Sequence, residues 1–167
     1  WNTCAEMAEC PGAEMKCSSS GDPHIDMFSH KGGHPQGAGP YIMAQNSGRN
    51  FVVQACHTPT SATSVVSTNT ALAVKYGVNG EHLVKIGGHI MGHKGLGTWT
   101  KPPRDSGVTC DTVTCVFSTG EKMSMVGGHI WISLPVAYCG GVSGLCGGYS
   151  PDTNFADAYV MASGTVL

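Results

Sequence analysis

Charge is what this chain has least of. Only 12% of its 167 residues are Asp, Glu, Lys or Arg, about half the usual share of a soluble domain. Nine Lys plus Arg against eleven Asp plus Glu leave a formal charge of −2, so no electrostatic footprint exists for nucleic acid or for an anionic membrane. No run reaches the roughly 18 apolar residues that a membrane-spanning helix needs. No two cysteines stand as C-x-x-C, which takes weight from zinc ribbons and thioredoxin-type redox sites. There is no P-loop, H-E-x-x-H or nucleophile elbow, since Gly141-Val-Ser143-Gly144 lacks the elbow spacing, and no local motif argues for an enzyme. An Asn-x-Ser/Thr acceptor is also missing. Good helix formers are thin among the Gly-, Thr-, Ser- and Val-rich stretches, so long helices and coiled coils are disfavoured.

What is abundant is equally lopsided. There are 24 Gly and eight each of Cys, His and Met, and 41% of residues are hydrophobic, enough to bury a real core. Cys4, Cys10, Cys17, Cys56, Cys110, Cys115, Cys139 and Cys146 form an even, spread set. In a chain of low charge that pattern reads as disulfides in a secreted, extracellular protein. A start at Trp1 fits a processed mature protein or an excised domain.

Short runs rich in Val, Ile, Thr and aromatics predict strands over Tyr41–Gln45, Phe51–His57, Thr63–Thr68, Ala71–Tyr76, Leu83–Met91, Val108–Ser118, Lys122–Val126 and His129–Val136. Val78-Asn79-Gly80-Glu81 suits a type I′ hairpin turn. Ile86-Gly87-Gly88-His89-Ile90 and Val126-Gly127-Gly128-His129-Ile130 echo each other and read as two similar hairpin corners. Residues 29–40, with their glycines and prolines, form a loop. Residues 1–16 read as a disulfide-tied lead-in with one short helix around Ala5–Cys10, and 17–167 as the β domain of a single-domain chain. The class is all-β, with little helix.

Two stretches go beyond composition. Cys17-Ser-Ser-Ser-Gly21-Asp22-Pro23-His24 is followed by Phe28 and, after the glycine-rich loop, by Tyr41-Ile42-Met43-Ala44. Gly144-Leu145-Cys146-Gly147 precedes an acidic, amide-bearing tail ending Phe155-Ala156-Asp157. Together they resemble the von Willebrand factor type D domain, from about residue 17 to 160. The resemblance implies a disulfide-rich β-sandwich of two antiparallel sheets in which Cys17 pairs with Cys146. That bridge would close a loop of roughly 130 residues. The departures mark a divergent member: Ser29 stands where the family has Asp, Gly39 where it has Cys, and Gly148 where it has Asn.

Three kinds of chemistry follow. The resemblance implies calcium, which needs six to eight oxygen ligands; Asp152, Asn154 and Asp157 are candidates, with Asp26 substituting for the aspartate lost at Ser29. The same Pro-Asp-x-Asn run is also ordinary turn chemistry. In some domains carrying Gly-Asp-Pro-His the chain cleaves itself between Asp and Pro. Here that would make Asp22 the nucleophile toward its own carbonyl, Pro23 the leaving amine and His24 a proton donor. The alternative is a strand-opening turn. Finally, His89, Met91 and His93 alternate along one strand, so their side chains share a face, and with His129 they form a candidate copper or zinc set. Met123 and Met125 form another such pair, though Met is also a routine core filler.

The leading expectation is a structural or adhesive module, with calcium as a stabilising ligand, that assembles with itself or with other extracellular matrix, mucus or coat proteins. A transition-metal protein and a self-cleaving domain are the alternatives.

Overall fold

The computed structural model describes residues 12–28, 33–88 and 97–147. Among them lie eleven strands, one short 3-10 turn at Val136–Tyr138 and no α-helix. The strands are β1 Met15–Ser20, β2 His24–Asp26, β3 Gly39–Asn46, β4 Val52–Pro59, β5 Ser67–Tyr76, β6 His82–Gly87, β7 Val108–Cys110, β8 Thr114–Phe117, β9 Lys122–Val126, β10 His129–Leu134 and β11 Val142–Ser143. They form a six-stranded sheet, β2-β1-β10-β9-β8-β7, and a five-stranded sheet, β11-β3-β4-β5-β6. Every pairing is antiparallel.

Alternation decides which side chains fill the space between the sheets. In β10, Ile130, Ile132 and Leu134 are buried while His129 and Trp131 face outward. In β9, Met123 and Met125 are fully buried, with Lys122 exposed. The opposite layer supplies Tyr41, Met43, Val53, Ala55, Leu72, Val74, Val84 and Ile86. Phe51, Tyr76 and Phe117 stack at one edge, with Phe117 edge-on to both of the others.

Several expected boundaries shift. Val108–Ser118 is not one strand but the hairpin of β7 and β8, pinched by the Cys110–Cys115 disulfide. Asp111 accepts the backbone N–H groups of Val113 and Thr114 through Oδ1 and so closes that turn. Residues 63–66 turn rather than extend, because the Thr60 and Ser64 hydroxyls bond each other and the Val66 carbonyl. β5 then runs unbroken from Ser67, joining what read as two strands. The hairpin around Asn79-Gly80 exists, with Tyr76 opposite His82. Its turn is not type I′, however: Gly80 has φ +67° but Asn79 has no positive φ. Gly127 and Gly128, at φ +54° and +82°, do form the tight corner between β9 and β10.

β1 and β2 were absent from the sequence expectation because Ser18-Ser19-Ser20 carries no apolar alternation. Ser19 is nonetheless fully buried; its hydroxyl accepts a hydrogen bond from Asn69 Nδ2 at 2.8 Å. The short helix expected around Ala5–Cys10 lies outside the described residues.

Candidate functional site

The Gly-Leu-Cys-Gly run docks along β3. Leu145 N–H donates to Ile42 O and Cys146 N–H to Met43 O, at 2.9 and 2.8 Å. Gly144 sits at φ +122°, and a Cβ there would come within 2.7 Å of Met43 O, so the approach requires glycine. Cys146 is thereby carried to Cys17 of β1, and the two form a disulfide across 129 positions of sequence. The bridge ties the six-stranded sheet to the segment hydrogen-bonded along the five-stranded one. Phe28 N–H also donates to Cys146 O at 3.0 Å, so the chain end of β2 lies against the same segment.

β1 and β2 pair with Ser20 opposite His24, which places Gly21-Asp22-Pro23 at the tip of a hairpin. Gly21 takes φ +67° there. Pro23 is buried and His24 exposed. His24 Nδ1 lies 3.0 Å from the Asp22 backbone carbonyl oxygen and 3.0 Å from its carboxylate Oδ1. Gln36 Nε2 donates to that same carbonyl at 3.0 Å. The His34 ring packs edge-on against His24, centroids 4.0 Å apart. Ile25 N–H bonds Gly33 O at 3.2 Å, pinning this end of the loop onto β2. The turn therefore brings carboxylate, imidazole and carboxamide to one peptide carbonyl. The sequence already gathers His24 and His34 around the glycine-rich loop, and the structure brings their rings together; Gln36 gave no signal there, where it looks like a polar spacer.

A family profile for the von Willebrand factor type D domain matches residues 17–165. The chain belongs to that family. The D-domain match covers nearly all of the described structure, and the two-sheet sandwich with its Cys17–Cys146 bridge is what the resemblance implied. Domains of this family are typical of extracellular proteins and are generally non-enzymatic structural modules. No curated protein matches at a significant level.

The remaining candidates divide by position. Asp26 is exposed at the end of β2, and Ser18 Oγ donates to its carboxylate at 3.4 Å. Asp152, Asn154 and Asp157, its expected calcium partners, lie outside the described residues, as do His89, Met91 and His93. His129 faces outward, its ring tilted against exposed Trp131 at 5.7 Å. The thioethers of Met123 and Met125 point the opposite way, into the core, so they serve as packing there. Among the described residues no three His, Cys, Asp or Glu side chains gather as a metal-binding group. Cys139 is disulfide-bonded, whereas Cys56 carries a free, half-buried thiol on β4. No helix of the described residues is long and apolar enough to cross a membrane.

One polar feature lies in the core at the same end of the sandwich as the Asp22 turn. His57 is 1% exposed, and neither ring nitrogen has a hydrogen-bond partner. Its ring lies against Tyr41, centroids 4.5 Å apart. Burial pushes its pKa down from 6.5 to about 4; Asn69 and the Gly37 backbone favour the charged form without completing a bond of normal geometry.

Proposed function

We propose that this D domain is an extracellular assembly module, which joins copies of itself or other matrix, mucus or coat proteins. The observation that carries the reading is the family match over residues 17–165. The outer face of the six-stranded sheet supplies a contact surface: Trp131 and Val116 are 47% and 43% exposed there. Ser18, Trp131, Ser124 and Thr114 stand side by side across neighbouring strands. An exposed Trp ringed by short polar side chains is a typical interface anchor. Sedimentation should show concentration-dependent self-association or retention on immobilised matrix protein, weakened roughly tenfold by Trp131→Ser. A strict monomer with no such affinity would sink the proposal.

A second reading has its own observation, the three groups gathered at the Asp22 carbonyl. In it the domain cuts its own chain at Asp22–Pro23. An Asp22 carboxylate oxygen attacks the Asp22 carbonyl carbon, the tetrahedral intermediate collapses, and the C–N bond breaks. The Pro23 nitrogen leaves with the electron pair and takes a proton from His24 or water. Asp22 is left as a cyclic anhydride, which water opens to two carboxyl groups or which an amine on a neighbouring chain opens to an amide. Incubation near pH 5 followed by mass measurement under reducing conditions should reveal two fragments, and Asp22→Asn should abolish them. A chain still at its whole 17.3 kDa removes this reading while leaving assembly untouched.

A further inference from the structure

We propose that Gln36 is a catalytic residue of the Asp22–Pro23 scission, donating through its carboxamide to the oxygen that becomes the oxyanion. This rests on the self-cleavage reading of the same turn. A peptide carbonyl can only accept a hydrogen bond, so the group 3.0 Å from Asp22 O must be the Gln36 NH2. The amide orientation is thereby fixed by chemistry. It leaves Gln36 Oε1 buried with no partner. A glutamine placed only for packing or solubility would turn that oxygen to water, because an unpaired buried acceptor destabilises the fold. The side chain instead holds its donor on one particular carbonyl, fourteen positions away in sequence.

That carbonyl is the one the cleavage attacks. When the carboxylate adds to the Asp22 carbon, the carbonyl π electrons move onto its oxygen and the negative charge develops there. A donor already aimed at the oxygen gains strength as the charge grows, which lowers the barrier more than it stabilises the starting peptide. His24 Nδ1, at 3.0 Å from the same oxygen, is a second donor when its ring carries that proton. Gln36 thus supplies one donor to the developing oxyanion and His24 Nδ1 a second. Pro23, whose nitrogen is the leaving group, is buried.

The test follows fragment formation in the full chain near pH 5 under reducing conditions, with Tm checked for every variant. Gln36→Ala should slow cleavage roughly ten- to a hundredfold without moving the pH profile. Gln36→Glu places an acceptor at the carbonyl when ionised and a donor when protonated. Its rate should be depressed at neutral pH and recover toward wild type as the pH falls through the carboxyl range, an extra acid limb that loss of structure would not create. If wild type cleaves and both variants cleave at the wild-type rate with the wild-type profile, Gln36 has no such role and the cleavage reading stands. If wild type stays whole, both fall together.

Discussion

Replacing both Cys17 and Cys146 with Ala lowers the stability of the domain by about 4–5 kcal/mol, the largest single effect expected from any disulfide described here. The bridge spans 129 positions of sequence, and chain-entropy reasoning makes the constraint on the unfolded state grow with the logarithm of that span. Cys110–Cys115 spans 5, for which the same reasoning gives about 2 kcal/mol. The contrast is the test. Denaturant unfolding of the two alanine pairs should place the long-range variant about 2–3 kcal/mol below the short-range one. In thermal scans the loss of the long bridge corresponds to roughly 10–20 °C for a chain of this size. Equal losses would mean that the staple acts through local packing and not through the length of chain it closes.

Acidification produces the second large effect, through His57. Its folded pKa, about 4, lies below the ordinary 6.5. Between those values the unfolded chain binds a proton that the folded chain refuses, so stability falls as pH falls. The loss begins near pH 6.5, grows down to about pH 4, and then levels off. A separation of this size corresponds to about 3 kcal/mol. His57→Phe keeps a ring against Tyr41 and removes the titration. Its stability should therefore drop less than that of wild type between neutral pH and pH 4, by about 3 kcal/mol. Parallel pH profiles for the two proteins would show that another group controls the acid response.

Legibility in the sequence followed the apolar pattern. β3, β4, β9 and β10 were readable because Val, Ile, Met and aromatic side chains alternate or cluster along them. β1 was not, since only Met15 and Cys17 of its inward positions are apolar and the last, Ser19, is held by a hydrogen bond to Asn69. The β7–β8 hairpin was read as one strand because Cys110 and Cys115 both sit in strand-like surroundings and the Asp111 side chain makes the turn without glycine or proline, although the four residues between the two cysteines do suit a bridge across a small loop. At the Asp22 turn the motif gave the carboxylate, the proline and the imidazole. Gln36 escaped because its partner is a backbone oxygen distant in sequence, a relation no local spacing records. The His and Met surplus also resolved in part, since Met43, Met123 and Met125 are core and His57 is a buried neutral ring.

The position of Cys17 has one more consequence. It lies upstream of Asp22, and its disulfide partner Cys146 lies far downstream. A cut at Asp22–Pro23 therefore nicks the domain without releasing anything. The upstream piece stays tethered through the disulfide and remains zipped to β10 as β1. In an oxidising environment the nicked molecule would migrate as whole and differ from its precursor by one water. The newly made ends would stay side by side at the tip of the sandwich. Any amine that captured the anhydride there would become anchored to the intact fold, so scission would give an attachment point where a released peptide would give only debris.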